Sequence, residues 1–288
     1  MNAMPVKSGC SRNFRARVTF HLKQTALCRR NAQMSVVLLC AGLLKAFYSA
    51  ARVDQLRWIL APTTWLVELF SGEVFRFEHY AGYMNDDRTF IIAAACAGVN
   101  FLITTFLLLS LTRLWSQQAR IAWLFLPVAA GAAYLATIFA NAVRITLALQ
   151  LRVLSPRPRW MSADQLHRVE GILVYFGFLL FVFVLAERMS FTSASQRCAA
   201  SSADGSSGKP IVKNNPLRPG YPLFKRLLFP VLIYYATTLG IPLLNGAYRQ
   251  GGDFWQHSLF VLVVPLAVLL PLAGFVVIRE RGIESHRH

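Results

Sequence analysis

Residues 89–111 read TFIIAAACAGVNFLITTFLLLSL. No charge interrupts them, and the run exceeds the ~20 apolar residues that a helix needs to cross a bilayer. A membrane helix is therefore predicted here. Cys96 is expected about seven residues into it, roughly 10 Å below the surface at ~1.5 Å rise per residue. Small residues surround the thiol in Ala-Ala-Ala-Cys-Ala-Gly, so a second helix or a substrate backbone can approach closely. A free cysteine in such a run is ordinarily a small buried hydrophobe. The rest of the chain gives Cys96 a different standing.

The 288 residues are 55% hydrophobic and only 15% charged, with a mean hydropathy of +0.44. That combination predicts a multi-pass membrane protein and excludes an ordinary soluble domain. A net charge of +17 could point to nucleic acid. The basic residues instead cluster between apolar runs, as the positive-inside rule requires, so no nucleic-acid partner is expected. The five cysteines show no CxxC and no metal-ligand spacing, and the histidines are scattered, so neither a disulfide framework, a metal site nor a cofactor is expected.

Residues 1–33 carry seven basic residues and no acid, which predicts a mobile cytoplasmic tail. A first span follows at 34–51 and contains Lys45, expected to snorkel or to face the bundle. Residues 58–70 are apolar but hold Pro62 and Glu68. They predict a short helix at the interface or re-entering the membrane, with a full span as the alternative. Residues 73–83, EVFRFEHYAGY, alternate apolar and polar and predict a short extra-membrane strand pair. His79, within it, is expected to be an ordinary solvated histidine.

After the Cys96 span and a short loop, residues 121–151 form a long apolar run, expected as one tilted helix. Asn141 and Arg144 stand three apart near its far end and so share a helix face. An arginine inside an apolar run is costly and marks a functional site, although one at a helix end can simply snorkel to headgroups. Two prolines in LSPRPRW then mark a turn. Ser162-Ala-Asp-Gln165 predicts a capping box opening the next helix. That helix carries His167, with Asp164 three residues before it and Glu170 three after, either of which could hold the imidazole. Residues 190–226 are rich in Ser, Ala and Gly at their centre and predict a flexible cytoplasmic linker. Two further spans, near 227–247 and 258–278, contain prolines expected to kink them.

The expected fold is all-α: a polytopic bundle of about six spans, with a short extra-membrane segment between the first two. Its regions are a basic tail (1–33), a membrane domain (34–189), a linker (190–226) and a C-terminal two-helix segment (227–288). Alternate loops carry more than twice as many Lys and Arg on one side as on the other, which predicts both termini inside. Cys96, Arg144 and His167 then fall near the outer face at similar depth, on three successive helices. A thiol, a guanidinium and an imidazole suit acyl transfer. The thiolate attacks a carbonyl. The imidazole takes and returns the proton. The guanidinium holds the oxyanion or fixes the substrate. Asn141 is placed to support Arg144 or to donate a second hydrogen bond.

At these residues the chain resembles the exosortase/archaeosortase family of integral membrane cysteine transpeptidases. The matching pieces are Ala95-Cys96-Ala97-Gly98, Asn141-Ala142-Val143-Arg144-Ile145, and His167 with Gly171 and Phe176 behind it. Their order and spacing agree with the family over about residues 35–190. Cys-Ala-Gly-Val-Asn-Phe is similar to the exosortase K subgroup; Ala97 departs from the Ser that many exosortases place after the cysteine, and many members have more spans. The resemblance implies catalytic Cys96, Arg144 and His167. It also implies a bacterial inner-membrane location with the site facing outward. The implied substrates are secreted proteins that end in a motif, a membrane helix and a basic tail. Cleavage would pass through a thioester to an amine or water, in a setting of exopolysaccharide production. Two other classes compete: a membrane acyltransferase acting on a lipid-linked substrate, and a non-enzymatic transporter or assembly subunit of an envelope polysaccharide system.

Overall fold

The computed structural model describes residues 10–116, 123–153, 162–203, 223–244, 246, 249 and 252–285. Six of its helical stretches are long and apolar enough to cross a membrane: Cys28–Ala50, Ala94–Trp115, Phe125–Arg152, Gln165–Met189, Arg226–Leu243 and Phe254–Pro271. The fold is an all-α, multi-pass membrane bundle. Outward faces carry bare apolar side chains, such as Leu38, Leu39 and Leu43 on the first helix and Leu259, Leu262 and Val263 on the last. Lipid tails are as apolar as these side chains, so such faces incur no hydration penalty in a bilayer.

Helix α1 (Cys10–Ala50) is continuous, so residues 10–33 of the expected mobile tail are helical and lead straight into the first span. Helix α2 (Arg57–Ser71) is the short element predicted around Pro62. At ~1.5 Å per residue its 15 residues reach ~22 Å, less than a ~30 Å hydrocarbon core. It packs on α4 (Phe125–Val153) and turns Trp65, Leu69 and Phe70 outward. Gly72, with φ of 74°, ends it by donating its N–H to the Glu68 carbonyl at 2.9 Å. The Glu68 carboxylate, a charge in an apolar stretch, accepts the Phe75 N–H at 2.8 Å and so ties α2 to the sheet that follows.

The predicted strand pair is present as β1 (Phe75–Glu78) and β2 (Gly82–Asn85), antiparallel, with Phe75 opposite Asn85 and Glu78 opposite Gly82. A third strand was not foreseen. Strand β3 (Ile91–Ile92) pairs with β2, Tyr83 opposite Ile92 and Met84 opposite Ile91. Gly82, with φ of 123°, makes this pairing possible, because a Cβ there would lie 2.4 Å from the Ile92 carbonyl oxygen. Asn85 accepts the N–H groups of both Thr89 and Phe90 at 2.9 Å.

The predicted helix over 89–111 is corrected by these contacts. Its first residues are used by the sheet, and residues Ala94–Ala97 form a single 3-10 turn closed by Gly98 at φ 69°. Helix α3 (Val99–Ser116) starts only after that. Cys96 therefore stands at the entrance to a membrane helix, not two turns inside one.

Helix α4 has 29 residues, more than a perpendicular crossing needs, as the tilted-helix expectation required. The capping box opens α5 (Ala163–Ala203) as predicted: Gln165 N–H donates to Ser162 Oγ at 3.2 Å, and Ser162 N–H donates to Gln165 Oε1 at 3.0 Å. The expected linker is corrected at its start, since residues 190–203 continue α5; residues 204–222 lie outside the described residues. The fifth span is α6 (Leu223–Tyr235), a π turn (Ala236–Gly240) and α7 (Ile241–Leu244). The last span lies in α8 (Gly252–Ser285), one helix through Pro265 and Pro271.

Helix α3 is the hub. It packs against α1, α4, α5 and α6, while α8 packs on α5 and α6. The core runs through Leu102, Leu108 and Leu114 of α3, Ile145 of α4, and Phe176, Leu179 and Phe183 of α5.

Candidate functional site

The site forms where the Cys96 turn meets the C-terminal part of α4 and the first turns of α5. Gly98 sets the closeness of that meeting. A Cβ there would stand 3.3 Å from Thr137 Cγ2, 3.3 Å from the Tyr175 hydroxyl and 3.4 Å from Asn141 Cγ. Its positive φ and this crowding both call for glycine.

Asn141 is fully buried on α4. Its side-chain NH2 donates to the backbone carbonyl of Cys96. Its Oδ1 accepts two hydrogen bonds, from Arg144 Nε at 3.3 Å and from the Tyr175 hydroxyl at 2.8 Å. Asn141 thus supports Arg144, as the shared helix face predicted. Its NH2 is engaged with the Cys96 turn, which assigns the amide a structural post.

Arg144 lies within electrostatic range of the Cys96 side chain. The guanidinium lies 5.4 Å from the Tyr175 ring centroid, in cation–π range. Gly171 leaves room for the arginine stem, since a Cβ there would touch Arg144 Cδ at 3.5 Å. Arg144 is half-buried and turned into the bundle, so it does not simply snorkel to the headgroups.

His167 is connected less directly. Its Nδ1 lies 3.3 Å from Glu170 Oε2, at ion-pair distance, while neither Glu170 oxygen meets the alignment of a hydrogen bond. Glu170 is only 8% exposed and acts electrostatically on Arg144. The connection therefore runs from His167 through Glu170 to Arg144 and Cys96. No hydrogen bond joins His167 to Cys96 among the described residues. The structure brings Cys96, Asn141, Arg144 and Glu170 together, with His167 at the half-open edge. The Asp164 side chain lies outside the described residues.

Two tyrosines complete the site and escaped the sequence reading. Tyr175 stacks on Phe101 with centroids 4.9 Å apart and planes 17° apart. Its signal was spacing: His167, Gly171 and Tyr175 recur every four residues along one face of α5. Tyr48 of α1 lies within electrostatic range of Cys96 and Arg144, and its hydroxyl is 3.5 Å from the Ala94 carbonyl. Lys45, one turn earlier, faces the bundle and donates to Asn100 Oδ1 at 2.8 Å. His79 proves solvated as expected, paired with Asp54 at 3.1 Å on the exposed hairpin.

Arg144 and the N-terminus of α3 both bring positive potential to the space around Cys96, the second because helix N-termini carry unpaired N–H groups. Such a space accommodates an oxygen that gains negative charge. Compared with protein-family models, with curated proteins and with solved structures, the chain matches none.

Proposed function

We propose that this chain is a membrane-embedded cysteine transpeptidase of the exosortase kind. It would cleave C-terminal sorting signals of secreted proteins at the outer face of a bacterial inner membrane. The observation that carries the reading is the setting of Cys96: Asn141 holds its backbone carbonyl and Arg144 lies in electrostatic range of its thiol, both from one face of α4. A guanidinium in the electrostatic range of a thiol is what a nucleophilic cysteine needs, and the bond from Asn141 holds the turn that presents it.

In this reading the Cys96 sulfur attacks the scissile carbonyl carbon, and His167 receives the thiol proton. The carbonyl oxygen takes up the negative charge beside Arg144. The C–N bond breaks, the leaving amine takes the proton from His167, and the acyl group remains on sulfur as a thioester. An amine or water then attacks the thioester and restores the thiol. Glu170, at ion-pair distance, orients His167. Catalytic hydrogen bonds often close only with substrate bound, which accommodates the present gap between His167 and Cys96. A lipid-directed acyltransferase would use the same cluster.

The test is to express the chain and its Cys96→Ala variant in membranes of the native host and to compare the C-termini of secreted proteins by mass spectrometry. Specific C-terminal cleavage should disappear in the variant. Arg144→Ala and His167→Ala should reproduce the loss. Unchanged processing by a folded Cys96→Ala protein would sink the thiol mechanism.

A further inference from the structure

We infer that Tyr175 is a positioning residue for the chemistry at Cys96: its hydroxyl braces the Asn141 side-chain amide in the orientation that Arg144 and the Cys96 carbonyl dictate. This deepens the reading of Cys96 as nucleophile and rests on it. A primary amide offers an oxygen that only accepts and an NH2 that only donates. Asn141 is 0% exposed, so water does not satisfy either end. The Tyr175 hydroxyl donates to Oδ1 at 2.8 Å and Arg144 Nε to the same oxygen at 3.3 Å. A guanidinium has no acceptor, so Arg144 must face an oxygen. With both donors on Oδ1, the NH2 is turned to the Cys96 carbonyl. Reversing the amide would set donor against donor at Arg144 and oxygen against oxygen at Cys96. Both mismatches would fall in a dry interior, where an unmet polar group is costly. Of the two donors on Oδ1, Tyr175 makes the shorter bond.

Tyr175 is itself well placed for this. Its ring stacks on Phe101 of α3 and lies under the Arg144 guanidinium, and its hydroxyl sits against Gly98. One side chain of α5 thereby reads the position of α3, braces an amide on α4, and through that amide sets the turn that carries the thiol. Without the hydroxyl, Oδ1 keeps only the longer bond from Arg144, and the amide is held less firmly between Arg144 and the Cys96 carbonyl.

Tyr175→Phe keeps the ring and removes the donor. In full-length protein in detergent, maleimide alkylation of Cys96, followed by site-resolved mass spectrometry, should slow by about 5- to 10-fold, the worth of one neutral hydrogen bond. In protein labelled with 15N-asparagine, the Asn141 side-chain signal, identified by its loss in Asn141→Asp, should move or broaden. Asn141→Asp is the second arm: its carboxylate still accepts from Tyr175 and Arg144 but cannot donate to the Cys96 carbonyl, so alkylation should change as in Tyr175→Phe. A wild-type alkylation rate in a folded Tyr175→Phe or Asn141→Asp protein, or an unmoved Asn141 signal in Tyr175→Phe, would overturn the assignment. These readouts need no substrate. Should Cys96→Ala leave processing intact, the transpeptidase reading fails while the role of Tyr175 is still decided by alkylation and the amide signal.

Discussion

Among the described residues, two histidine–carboxylate pairs lie at nearly the same separation, and distance alone does not distinguish them. His79 lies 3.1 Å from Asp54 beside the hairpin, and His167 lies 3.3 Å from Glu170 at the start of α5. Their surroundings differ. The His79 side chain is 76% exposed and Asp54 33%, so water screens the pair and it contributes little. His167 is 46% exposed, but Glu170 is only 8% exposed and lies in electrostatic range of Arg144. A buried carboxylate with no aligned hydrogen bond is costly to keep, so its imidazole and guanidinium neighbours carry its compensation. What sets the candidate histidine His167 apart from His79 is what its partner is buried among.

The sharpest way to break the comparison is to remove both imidazoles in turn. His167→Ala should lower C-terminal processing by about 10²- to 10⁴-fold, the usual worth of a positioned acid–base group. His79→Ala should leave processing rates unchanged in the same assay. Equal effects would erase the distinction. Next comes Glu170→Gln, which keeps the volume and removes the charge. Processing should fall on the order of 10²-fold, because the imidazole loses the group that orients it, and Asp54→Asn should have no such effect.

A smaller effect tests whether the His79 side of the molecule matters through architecture. Gly82→Ala places a Cβ against the Ile92 carbonyl and forces a non-glycine residue to φ 123°. It should cost about 1–3 kcal/mol of stability, read as a lowered melting temperature in detergent. Because β3 leads into the Cys96 turn, processing should fall in step with the lost pairing. The smallest effect is that of Asp54→Asn on stability, under about 1 kcal/mol and diminishing in high salt, as for any exposed ion pair.

Much of this was legible in the sequence. The spans announce themselves by length and lack of charge. Asn141 and Arg144 share a face because they are three apart on a helix, and Ser162 with Gln165 spells a capping box. The start of α3 was not legible. Residues 91–98 are as apolar as the helix they precede, and their strand pairing depends on a space at Gly82 that only the folded sheet reveals. Tyr175 was hidden for a related reason. A tyrosine among apolar residues of a helix is ordinary, and only the partner at its hydroxyl, 34 residues back in the chain, distinguishes it. The helical course of residues 190–203 was masked by a Ser-rich composition that suits a linker as well as a helix end.

The bonds around the Cys96 turn also impose a schedule. The amide that holds its carbonyl comes 45 residues later in the chain, and the hydroxyl that braces that amide 34 residues after that. At a synthesis rate of about 5–20 residues per second, roughly 4–16 s pass between the emergence of the thiol and that of the last member of its network. The guanidinium of Arg144 and the imidazole of His167 emerge within that interval, so the network is assembled in stages. The network is thus complete only once three helices have been made, an order of assembly set by the succession of elements along the chain.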